Sequence, residues 1–244
     1  MRVVALVLMV LFSSLSLAAA DGPTPFPDSK NEAAWPGKGP IRTFPYMVGE
    51  RKAFWAKREK DQGKVVFVGD SLIGGWKALE AGTAFPNLKI ANRGVGGDTS
   101  RGILFRLQED ALDLKPKALV ICAGANDLSA HGPPADTLAN ITLMVEMARK
   151  QDPNVPIVLT TIPPQEIAGW KDVPGARLEL REKIQAFAAD KTNMAVVDLY
   201  PVLGDKDGKL IPELFNKDKV HPNADGYVKW VAVLGPILEK LGVK

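Results

Sequence analysis

From Val65 onward the chain alternates short, mainly apolar runs with longer stretches in which apolar residues recur every third or fourth position. The runs fall near 65–69, 88–91, 118–123, 155–161 and 194–199. The first, Val65 to Val68 bounded by Gly69, reads as a fully buried strand, and five such runs imply a parallel sheet. The stretches between them predict helices near 72–80, 99–109, 135–151 and 176–190, with a last one near 223–241. Strands alternating with helices define the α/β class. Right-handed crossovers place helices on both sides of a five-stranded parallel sheet, which gives a three-layer α/β/α sandwich.

The pattern ahead of the first strand is different. Residues 21–45 carry Pro23, Pro25, Pro27, Pro36, Pro40 and Pro45, which remove backbone donors and predict an extended N-terminal arm, with Phe26, Trp35 and Phe44 available to pack. From Tyr46 to Gln62, the spacing of Met47, Phe54 and Trp55 among charged residues predicts an amphipathic helix ending at Gly63. The first twenty residues have the anatomy of a secretory signal peptide: Met1-Arg2, an apolar run from Val3 to Phe12, and Ala18-Ala19-Ala20. That run is too short for a stable membrane span. The expected organisation is a signal peptide over 1–20, the arm over 21–45 and one domain over 46–244, in a secreted or periplasmic protein without a stable membrane anchor.

Chemistry gathers where apolar runs end, the edge at which open parallel sheets bind ligands. The first run leads into Gly69-Asp70-Ser71-Leu72, the second into Asn92-Arg93-Gly94-Val95-Gly96-Gly97-Asp98-Thr99, and the third into Gly124-Ala125-Asn126-Asp127. Asp218-Lys219-Val220-His221-Pro222 stands near the C-terminus. A serine hydroxyl needs a base to take its proton as it attacks an ester. Of the two histidines, His221 has a carboxylate three residues earlier, Asp218, which can bond one ring nitrogen and leave the other facing Ser71. Pro222 suits a first helical position, so His221 is expected at a helix N-terminus, whose dipole disfavours the imidazolium that Asp218 favours. His131 lacks such an acid and is expected at the rim or surface.

Serine, glycine, asparagine and an Asp-x-x-His pair in this order resemble the SGNH branch of the GDSL esterases and lipases, over about residues 60–240. The wording of the second block is most similar to the platelet-activating-factor acetylhydrolase type. The resemblance implies a flavodoxin-like sheet, Ser71, Asp218 and His221 as catalytic residues, and an oxyanion hole made by the backbone amides of Ser71 and Gly97 with the side-chain amide of Asn126. It implies no cofactor. At Gly97 a side chain would obstruct the carbonyl oxygen, and Asn126 offers a neutral donor. Asp70 and Asp98 are expected to cap loops, and Arg93 to pair with one of them or to contact substrate. Trp76 and Trp170 could line the cleft but fit core or loop packing better.

Composition narrows the alternatives. The formal net charge is +3 and no Lys/Arg cluster is present, so nucleic acid is not an expected partner. One cysteine, Cys122, cannot form an intramolecular disulfide and is expected as a buried thiol. Two distant histidines and one strand cysteine offer no metal cluster. The glycines of the second block miss dinucleotide spacing, with Thr99 where a third glycine is needed, and no Gly-Lys-Ser/Thr follows. A silent carbohydrate-binding module would not need Ser71, Asp218 and His221. The expected activity is hydrolysis of short-chain esters, acetyl groups on carbohydrate foremost, with lysophospholipid or thioester hydrolysis as the alternative.

Overall fold

The computed structural model describes residues 21–166 and 173–244. The expected signal peptide and Trp170 therefore lie outside the described residues. Five parallel strands are ordered β2-β1-β3-β4-β5: β1 Val65–Gly69, β2 Ile90–Gly94, β3 Ala118–Cys122, β4 Ile157–Thr160 and β5 Met194–Val197. Every residue of β1, β3 and β4 is buried, as their unbroken apolar runs require.

Helices cover both faces. On one side α4 (Ser100–Asp110), α6 (Pro134–Gln151) and α7 (Val173–Ala188) pack in sequence. On the other, α2 (Ser71–Gly74), α3 (Lys77–Glu80) and α9 (Ala224–Lys240) enclose an aromatic cluster. Trp76 stacks on Tyr227 at 4.8 Å, lies 4.8 Å from Trp230 and meets Phe67 of β1 edge-on at 6.0 Å. Trp76 is thus core, with 1% of its surface exposed.

This burial explains a difference from the sequence pattern. The helix expected over 72–80 is two short helices, because the chain turns at Gly75-Trp76 to drive the indole inward. Strand β2 runs later than its apolar run: Asn92 tolerates the sheet edge by donating its side-chain amide to Ile73 O and accepting from Gly94 N. Gly94 itself is required by close approach, since a Cβ there would lie 2.1 Å from Gly74 N. The fifth run divides at Asp198, whose side chain accepts from Tyr200 N to start α8 (Leu199–Leu203).

The proline-rich arm is docked. Phe26 stacks on Trp35, and both meet Phe105 of α4. Arg101 donates to the carbonyls of Pro36, Gly39 and Glu32, while Asn140 exchanges hydrogen bonds with the backbone of Lys38. Pro45 then occupies the first position of α1 (Pro45–Lys57), where its missing N–H is harmless.

Candidate active site

The sheet order reverses direction between β1 and β3, which opens a crevice at their carboxyl ends. Ser71 lies there as the first residue of α2, immediately beyond β1. Asp70 caps this helix by accepting from Leu72 N at 2.9 Å. The amide of Ser71, in a helix's first turn, has no intrahelical partner and can donate into the crevice.

The loop carrying His221 is shaped by its own backbone. Asn216 N donates to His221 O, Lys219 N donates to Asn216 O, and Lys219 adopts φ +56°. Asp218 Oδ1 accepts the amides of Val220 and His221, and its Oδ2 lies 2.8 Å from His221 Nδ1. The other ring nitrogen, Nε2, lies 2.7 Å from Ser71 Oγ. Gln165, in the loop after β4, donates to Val220 O, and Glu166 N donates to Lys219 O, so the end of β4 braces the histidine loop. Burial pushes the Asp218 carboxyl upward, but the two amides and the imidazole outweigh it and hold the group below its ordinary value.

Gly97 occupies a turn after β2 with φ +75°, and a Cβ there would lie 2.8 Å from Phe44 Cε2 and 3.0 Å from Tyr46 Oη. Asn126, in α5 (Ala125–Ser129) beyond β3, donates Nδ2–H to Asp98 O at 3.0 Å. Ser71, Gly97, Asn126 and His221 line one cavity of about 330 Å³, together with Tyr46 and Gln165. A second cavity of about 340 Å³ opens on the other side of Ser71 and His221, bounded by Glu50, Asn216 and Tyr227. A hydroxyl between two recesses, with a ring nitrogen in reach and amide donors on one side, can attack a carbonyl carbon and receive the resulting oxyanion.

Three expectations are corrected. Pro222 is not the first helical residue: α9 starts at Ala224, and Asn223 caps it by accepting from Asp225 N and Gly226 N. Pro222 remains extended and bridges Phe215, so His221 is outside the first turn, where the dipole acts. Arg93 pairs with neither Asp70 nor Asp98; it reaches Asp61 at 2.6 Å and donates to Asp110 O. Asp98 is no loop cap. Thr99 caps α4, while Asp98 forms a fully buried ion pair with Arg106 at 2.7 Å.

That arginine is a hub behind the site. Arg106 also donates to Gly69 O at the end of β1 and to Arg93 O in β2, joining the strand that leads into Ser71 to the turn that holds Gly97. Asp70 is as deeply buried; desolvation, with the Asp127 and Asp98 charges, pushes its carboxyl up to about 7 against the Leu72 amide and Arg106. Cys122 is buried in β3, and burial raises its thiol. His131 is exposed with φ +57°. The sequence pattern did not single out Tyr46, Arg42 and Gln165. Only Gln165 carried a signal, its position after a strand; the arm's prolines say nothing about where Arg42 lands.

A three-layer fold with this hydroxyl, imidazole and carboxylate at its sheet edge defines the class of serine-type hydrolases. The model of the GDSL-like Lipase/Acylhydrolase family matches residues 67–229, and the chain belongs to that family. It is an ester hydrolase. Human platelet-activating factor acetylhydrolase IB subunit alpha1 is 27% identical over 91% of this chain and 90% of its own length. The bovine subunit of that name is also 27% identical, over 60% of this chain, and there the match spans only 58% of the relative. The crystal structure of a GDSL-like lipase from Bacteroides thetaiotaomicron superposes with a TM-score of 0.66 at 29% identity, covering 75% of this chain and 90% of that one. A carbohydrate esterase family 3 structure from Talaromyces cellulolyticus shares the fold with a TM-score of 0.53 at 19% identity, over 74% of this chain and 98% of its own.

Proposed function

We propose that this acylhydrolase is a secreted or periplasmic serine esterase that removes short acyl groups, acetyl foremost, from carbohydrate. Ser71 Oγ passes its proton to His221 Nε2 and bonds to the acyl carbon. The amides of Ser71, Gly97 and Asn126 receive the oxyanion, and Asp218 holds the imidazole and balances its charge. Collapse breaks the ester bond; the proton on His221 goes to the leaving alcohol oxygen, and the acyl group stays on Ser71. Water, deprotonated by His221, then attacks, and the acid leaves as Ser71 recovers its proton.

The 2.7 Å approach of His221 Nε2 to Ser71 Oγ carries this reading. Acyl size is supported by the recess on the Asn126 side, about 330 Å³ and walled by Tyr46 and Gln165. A polyol leaving group is supported by Glu50 and Asn216 around the opposite recess. Export is supported by the leader-like first twenty residues. The platelet-activating-factor name of the human and bovine relatives, with the exposed ring of Phe44 beside Gly97, favours a lysophospholipid or thioester substrate as the second reading. An acyl series from acetate to palmitate, run beside acetylated polysaccharides and lysophospholipid, separates the two. The first expects kcat/KM to fall with chain length and acetate to be released from polysaccharide; preference for long chains overturns it.

A further inference from the structure

The cavity that Asn126 lines is completed by a segment outside the sandwich. Asn126 offers its surroundings one carbonyl oxygen and two N–H groups. One N–H goes to Asp98 O at 3.0 Å, and the carbonyl oxygen accepts from Arg42 Nη1 at 3.2 Å. Arg42 belongs to the proline-rich arm, 84 residues away in sequence. Turning the amide over would set its NH2 against the guanidinium and its oxygen against the Asp98 carbonyl. Both contacts would be repulsive, so the pair of partners permits one orientation. In that orientation the second N–H is free for the cavity.

We infer that Arg42 is a positioning residue which, through Asn126, sets the oxyanion hole, making the N-terminal arm a working part of the active site. A cation on the amide oxygen draws electron density from nitrogen and makes the remaining N–H a stronger donor. The arm is anchored well enough to hold this contact. Thr99 Oγ1 donates to Pro40 O at 2.9 Å, two residues before Arg42, and Arg101 holds Gly39 O at 3.1 Å. On the other side of Arg42, Tyr46 donates its hydroxyl to Gly96 O at 2.9 Å, next to the second proposed amide donor. The arm and the start of α1 that follows it therefore touch both sides of the hole, and of these two contacts only the one from Arg42 is charged.

The inference rests on Asn126 being an oxyanion donor, and a double-mutant cycle in the full chain separates the two ideas. Arg42→Ala, Arg42→Lys, Asn126→Ala and Arg42→Ala/Asn126→Ala are assayed with a short-chain ester, and their thermal midpoints are recorded. Arg42→Ala is expected to lower kcat about tenfold, part of what a whole donor supplies, with KM little changed. Arg42→Lys keeps charge without the fork and should recover part of the loss. With Asn126 already alanine, removing Arg42 should change kcat less than about twofold. Full rates in Asn126→Ala would remove the premise and the inference together. A normal loss in Asn126→Ala with full rates in Arg42→Ala overturns the inference alone. So does an equal loss from Arg42→Ala in both backgrounds, with or without a fall in melting temperature.

Discussion

Ser71 Oγ and His221 Nε2 lie 2.7 Å apart although 150 residues separate them in sequence. The contact joins the end of β1 to a loop that belongs to no strand. If it is the proton path, His221→Ala lowers kcat by several orders of magnitude, whereas His131→Ala, at an exposed position, stays near wild type. A fluorophosphonate probe should label the wild-type chain at Ser71 and leave Ser71→Ala unlabelled, as read by peptide mass spectrometry. Labelling that survives in Ser71→Ala would remove Ser71 as nucleophile.

Asn126→Ala is expected to reduce turnover about 100-fold while leaving the thermal midpoint close to wild type, since donor loss acts in the transition state. Steady-state kinetics beside a thermal scan tests this; an unchanged rate excludes Asn126 from the hole.

Gly97→Ala is expected to lose most activity for a local reason. The position holds φ +75°, and a methyl group would press on Phe44 and on Tyr46, which lines the recess on the Asn126 side. Active-site labelling rates in this variant should fall more than its urea midpoint does.

Asp98 and Arg106 form an ion pair with no exposed surface. Arg106→Ala leaves that carboxylate unpaired and should cost about 3–5 kcal/mol of stability in urea denaturation. Arg106→Met with Asp98→Asn should recover part of the loss. Equal destabilisation in the double variant would mean the pair is not the source.

Asp70 gives stability a pH slope. Its carboxyl is raised to about 7 in the folded chain, above its ordinary value. Between the two values the unfolded chain releases its proton first, so the native state is favoured least once pH has risen through the folded value. Relative to Asp70→Asn, the wild type should be more stable at pH 5 than at pH 8. Asp218 has the opposite sign: its lowered carboxyl stabilises above the ordinary value and loses that contribution only as pH falls through the folded one. Urea midpoints at pH 5 and 8 for wild type and Asp70→Asn test the first slope; no difference between the chains would show that Asp70 is ionised throughout.

The five apolar runs by themselves determined a five-stranded parallel sheet and the sandwich, and the three central strands are buried at every position because both of their faces are covered. The polar blocks that end three of those runs placed Ser71, Gly97 and Asn126 at one edge, since parallel strands put their carboxyl ends together. Asp218 and His221 were legible as a pair through their three-residue spacing. Tertiary structure alone decided the partners of Asp98 and Arg93, because a buried charge pairs with whichever opposite charge the packing brings near: Arg106 from two turns into the following helix, and Asp61 from a segment 32 residues away. It alone set the start of α9 beyond Pro222, since the caps supplied by Asn223 outweigh a proline's fixed φ. It alone carried the arm and the start of α1 across the sandwich, bringing Arg42 to Asn126 and Tyr46 to Gly96 through contacts that no local periodicity encodes.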